Sequence, residues 1–184
     1  MKFAAMLIGA AVMMAFGQVA KQPASFGSAV IPAVRGHIAP QTFTELEKGF
    51  DSRLTSIGGA NDPVDLLGTT RGIYLEGYGA VFTTEASFII TPTVNPFRQT
   101  ISKELAAQVH QRKTARVPLL RQAMQDMMKT AAATLLQIPE NQQVVVAVRF
   151  LYLPWEDTTG LPAQIIMKAD RKSAMAGNIQ TEEQ

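Results

Sequence analysis

The stretch "TTRGIYLEGYGAVFTTEASFII", Thr69 to Ile90, decides how this chain folds. It is rich in β-branched and aromatic residues, with Gly72, Gly77 and Gly79 near its front. As a single strand, its 22 residues would span roughly 70 Å, far beyond an ordinary strand, so the segment bends or turns. A two-residue turn at Gly77-Tyr78, with glycine first as a type II′ hairpin wants, pairs Leu75 with Ala80 and Ile73 with Phe82. One face then carries Ile73, Leu75, Ala80, Phe82, Thr84, Ala86, Phe88 and Ile90, without a charge; the other carries Glu76 and Glu85. A single strand bulged at Gly77 to Gly79 is the alternative. The spacing G-x-x-x-x-G-K-[ST] is missing, which excludes a phosphate-cradling loop of that kind.

On the C-terminal side, Thr100 to Ile138 reads as one long helix. Ser102 offers a cap, and Val109, Val117, Leu120, Met124, Met127, Ala131 and Leu135 lie along one side. Pro118 removes a backbone donor and disfavours helical geometry at Val117, which predicts a kink or a break. "QQVVVAVRFLYL" follows as a strand with Val144, Val146, Val148, Phe150 and Tyr152 on one face and Arg149 on the other. After the turn "PWEDTTGLP", "AQIIMKA" returns as its partner, with Ile165, Met167 and Ala169 inward. On the N-terminal side, Phe43, Leu46, Phe50, Leu54 and Ile57 form the stripe of a shorter amphipathic helix, closed by Gly58-Gly59. Residues Pro63 to Leu67 read as a turn with one helical turn in it.

These elements predict an α+β domain over residues 42–169. Its antiparallel sheet is built from two hairpins in a β-β-α-β-β core, covered by one long, Pro-kinked helix, with the short amphipathic helix in front. The 184-residue length suits one domain with a real core. A hydrophobic fraction of 47% and a charged fraction of 17% are those of a globular chain. Residues 170–184 are polar and aperiodic and read as a disordered tail.

The first residues, "MKFAAMLIGAAVMMAFGQ", place Lys2 before an apolar run that ends at Gly17. This is the layout of a signal peptide over residues 1–17, or up to 20, and predicts an exported protein, periplasmic or extracellular. The run is shorter than the ~20 residues of a spanning helix, so no stable transmembrane span is expected after cleavage. Residues 18–41, with Pro23, Pro32 and Pro40, read as a flexible linker.

Chemistry is sparse. With no cysteine, disulfides and thiolate sites are excluded. The two histidines, His37 and His110, fit no zinc spacing, and His110 reads as a helix-surface residue. Asp62 and Asp65 lack the framework of a calcium loop. No serine stands in G-x-S-x-G or S-x-x-K, so no serine nucleophile is indicated; with the zinc and calcium spacings also missing, neither a metal nor a cofactor is expected. The most suggestive group is Trp155, Glu156 and Asp157, a tryptophan beside two carboxylates, as at a sugar- or metal-binding edge. The other is the basic half of the long helix, with Arg112, Lys113, Arg116 and Arg121, which suits an anionic surface. Formal charge is only +2 and aromatic interleaving is absent from the basic run, so nucleic acid is not expected.

The blocks "GIYLEGYGAVFTTE" and "PWEDTTGLPAQIIMKA" resemble a group of uncharacterised exported bacterial proteins, over roughly Asp65 to Ala169. That resemblance implies export and assigns no activity or functional residue. The expectation is therefore an exported, non-catalytic envelope protein binding a partner protein or an anionic surface. The rival is an extracytoplasmic hydrolase working through Glu76, Glu85, Glu156 or Asp157, which would need two carboxylates within about 5–10 Å of each other.

Overall fold

The computed structural model describes residues 38–59, 61–92 and 100–184. The expected leader and nearly all of the expected linker lie outside them. The chain runs α1 (Pro40–Thr55), a 3-10 turn (Ser56–Gly58), β1 (Asp65–Leu66), β2 (Arg71–Leu75) and β3 (Gly79–Ser87). It continues through α2 (Lys103–Thr134), β4 (Gln143–Phe150), β5 (Gln164–Asp170), α3 (Arg171–Ala176) and β6 (Gln180–Glu183). This is an α+β fold with a mixed sheet, ordered β1-β3-β4-β5-β6, in which β2 also pairs with β3.

The two expected hairpins are present, β2–β3 and β4–β5, on either side of the long helix. The sheet is not purely antiparallel, however: β3 and β4 run parallel, from Gly79↔Gln143 to Ala86↔Phe150. The reason is topological. A single helix between two strands carries the chain back along the sheet, so the next strand starts from the same end as the last.

Helix α2 forms as its periodicity demands. Ser102 caps it by accepting from the Leu105 N–H at 3.2 Å, and all seven residues of the predicted apolar side are buried. It passes Pro118 without interruption, so the predicted break does not occur. Packing of Val117 and Leu120 on the core holds the helical geometry there against the local preference. Helix α1 starts at Pro40, whose missing N–H is tolerated in the first turn, and no side chain caps it. Its Leu46, Phe50 and Leu54 are buried; Phe50 meets Phe82 edge-on at 5.0 Å.

The β2–β3 hairpin differs from expectation by one residue. Its loop has three residues, Glu76, Gly77 and Tyr78, and pairs Leu75 with Gly79, Tyr74 with Ala80 and Ile73 with Val81. Tyr78 N–H donates to the Leu75 carbonyl at 3.0 Å, and Gly77 takes φ 78° at the third position of that turn. A one-residue slip reverses every side chain of a strand. Ala80, Phe82, Thr84 and Ala86 still face the core, but their β2 neighbours are Gly72 and Tyr74, while Ile73 and Leu75 point outward. Gly72 leaves room there for the Phe43 and Phe82 rings, 5.5 Å apart.

Two further corrections concern the ends. Asp65 and Leu66 form a short strand on β3, not a helical turn. Residues 171–183 are not a disordered tail: α3 and β6 complete the fold, and the compact unit extends to Gln184. Asp170 caps α3 by accepting from Ser173 N–H at 2.8 Å, and Gly177 ends it at φ 83°. Ala174 reaches the core, and β6 pairs with β5 from Ile165↔Glu183 to Lys168↔Gln180.

All described helices pack on one face of the sheet. The edge at β2 is closed by α1, whose Glu47 accepts from Gly72 N–H at 2.7 Å and whose Asp51 accepts from both donors of buried Thr70. Among the described residues, no helix is long and apolar enough to cross a membrane.

Candidate functional site

The two groups singled out from the sequence meet in space. Lys113 on α2 pairs with Glu156 of the β4–β5 connection, and each side chain is only 1% exposed. Glu156 also accepts from the Thr91 hydroxyl at 3.3 Å, and the Lys113 ammonium lies 4.8 Å from the centre of the Tyr152 ring. Burial, with the Glu156 charge beside it, pushes the Tyr152 phenol well above its ordinary range; its hydroxyl donates to the Pro162 carbonyl at 2.6 Å. Trp155 packs on the core with a buried indole N–H, so it presents no open aromatic edge. Asp157 accepts from the Thr159 N–H at 2.9 Å, a turn contact that holds its carboxyl below the usual range. Its backbone carbonyl faces His110 Nδ1 at 2.9 Å, which makes Nδ1 the protonated nitrogen.

The other basic residues are paired too. Arg112 and Arg116 both engage Asp62; although burial opposes ionisation, they hold its carboxyl below the ordinary value. Arg116 is itself buried and donates to the carbonyls of Phe88 and Asp62; Gly58 leaves the room its guanidinium occupies. Arg121 pairs with Glu183 of β6. The basic half-helix is therefore largely neutralised from within. Its charges tie α2 to the loops and to the sheet edge.

The carboxylates of the hydrolase reading do not converge. Glu76 sits in the hairpin turn and Glu85 near the far end of β3, roughly 20 Å along the strand. Glu85 pairs with Arg149, and Glu156 is consumed by Lys113. The larger cavities walled by described residues hold at most one of Glu76, Glu85, Glu156 and Asp157 each. Among the described residues, no cluster of three metal-ligating side chains forms.

What remains is the sheet face opposite the helices. Pairing places Ile73, Val81, Val145 and Lys168 in one row across β2, β3, β4 and β5. The next row holds Arg71, Thr83, Ala147, Ile166 and Glu182; the one after it holds Glu85, Arg149 and Gln164. Ile73 is 53% exposed and Leu75 44%, beside half-buried Val81 and Ile166 and the buried Val145. A depression of about 420 Å³ opens on this face beside Thr83, Glu85, Ala147, Arg149 and Gln164, rimmed by Leu67. The sequence hid this surface in two ways. Ile73 and Leu75 looked like core in the wrong register, and Val145 and Ile166 belong to apolar runs whose two faces resemble each other. No protein-family model matches the chain, and no curated protein or solved structure matches it.

Proposed function

We propose that this chain is an exported, non-catalytic envelope protein that docks a partner protein through the sheet face that no described helix covers. The observation that carries the reading is the apolar set of exposed Ile73 and Leu75 with half-buried Val81 and Ile166, packed around the buried Val145 on the sheet face opposite every described helix. Contiguous exposed apolar surface rimmed by polar residues marks interaction sites in soluble proteins. An anionic surface is the weaker partner, because Arg112, Lys113, Arg116 and Arg121 already have acidic partners.

Capture from the native envelope tests this. Ile73→Lys combined with Leu75→Lys is expected to lower the captured partner by about tenfold or more, since truncating central apolar contacts costs interfaces most. Thermal stability should stay nearly unchanged, because both residues are exposed. Equal capture by the variant and the wild type would remove the docking face. Export rests on the residue 1–17 pattern and on the family resemblance. Fractionation with N-terminal sequencing should find a chain beginning at Gln18 or Lys21 outside the cytoplasm; a full-length cytoplasmic product would overturn it.

A further inference from the structure

We infer that the partner on this face is a second copy of the same chain, packed sheet to sheet about a two-fold axis that runs along the strands between β3 and β4. The inference rests on the docking reading above and adds the identity of the partner.

Charge is the reason. The outward rows carry Arg71, Arg149 and Lys168 against Asp65, Glu85 and Glu182, with the Asp170 carboxylate engaged in capping α3, so the face is close to neutral, and a strongly charged partner finds no complement there. The signs are also arranged in a way that matches themselves. Because β3 and β4 are parallel and in register, Val81 stands beside Val145, Thr83 beside Ala147 and Glu85 beside Arg149. A two-fold axis between these strands lays β3 of one copy over β4 of the other at the same height. Val81 then meets Val145 of the second copy, and Thr83 meets Ala147. Glu85 meets Arg149, twice over. An isologous interface requires this kind of self-complementarity. Face-to-face sheets pack about 10 Å apart and within about 30° of each other, so contacts near the axis survive the twist.

The Glu85–Arg149 pair is free to take part. Within one copy it spans 3.4 Å with side chains 58% and 74% exposed, and such surface pairs are weak. On β5, Lys168 lies opposite the second copy's Ile73, where its aliphatic stem covers apolar surface and its ammonium keeps Glu182.

Sedimentation of the purified protein, as its producing cell makes it, tests the inference. The wild type is expected to dimerise. Glu85→Arg alone and Arg149→Glu alone should each weaken dimerisation by on the order of tenfold or more, because like charges then face each other. Mixed in equal amounts, these two variants should restore a dimer. One copy then carries arginine at both positions and the other carries glutamate at both, so both cross-contacts become opposite in sign. That recovery cannot come from misfolded chains. A wild type that stays monomeric, or a dimer indifferent to both charge variants, would overturn the second-copy assignment. If the wild type is monomeric yet Ile73→Lys/Leu75→Lys still abolishes envelope capture, the docking face stands and only its occupant changes.

Discussion

Lys113→Met is expected to destabilise the domain by about 3–5 kcal/mol, the cost of stranding a buried charge when its partner is removed. Both side chains of the Lys113–Glu156 pair are 1% exposed, and after the substitution the Glu156 carboxylate keeps only the Thr91 hydroxyl of its side-chain partners described above. Glu156→Gln alone should cost a comparable amount, since it leaves the ammonium facing Tyr152 without a counter-charge. The double variant Lys113→Met/Glu156→Gln should recover much of the loss. Methionine fills similar volume over the Tyr152 ring, and glutamine still accepts from Thr91. Denaturant melts of the four proteins would read a coupling of about 2–3 kcal/mol, at the upper end for residues in contact. A loss under about 1 kcal/mol for Lys113→Met would mean that water reaches the pair and that the β4–β5 connection stands off α2. The expected result casts Lys113 and Glu156 as a brace between helix and loop, with neither side chain left over for a ligand.

Gly79→Ala should be nearly as damaging, at about 3–5 kcal/mol. Gly79 adopts φ 137°, and a methyl group there would lie 2.7 Å from both the carbonyl carbon and the amide nitrogen of Gln143. That neighbour is backbone of the parallel strand β4, so it cannot swing aside as a side chain could. Gly77→Ala makes the useful contrast: its φ is 78°, but nothing lies within 4 Å of the added methyl, so only the left-handed backbone is penalised, by about 1–2 kcal/mol. At roughly 2–4 °C per kcal/mol for a domain of this size, the two melting temperatures should separate clearly. Equal shifts would mean that β3 and β4 do not approach at Gly79, and with that the parallel register would fail.

The contrast between these glycines also marks where local information ends. Positive φ at Gly77 follows from a turn rule that needs only neighbouring residues, and it holds although the turn around it is one residue longer than expected. The constraint at Gly79 comes from Gln143, 64 positions away, and no local pattern carries it. The tail shows the opposite case. Asp170 and Gly177 are ordinary cap residues that stood in the sequence, but α3 has one turn and a half and β6 exposes all four residues, so neither has the periodicity that identifies an element.

By itself the sequence determined which side of each long element is buried. Val109 through Leu135 on α2, Val144 through Phe150 on β4 and Ile165 through Ala169 on β5 declare their inner faces through periods of 3.6 and 2, which depend on backbone geometry alone. It also determined the order hairpin, helix, hairpin. Only the tertiary structure decided how these pieces meet. The slip of β2 by one residue turned Ile73 and Leu75 outward, and the parallel return of β4 set Glu85 beside Arg149. Folding also drew the acids Asp62, Glu156 and Glu183 onto a helix whose sequence reads as basic. Each of these depends on residues distant in the chain coming within a few ångströms. Charge and register are properties of pairs, and a pair exists only once the chain has folded.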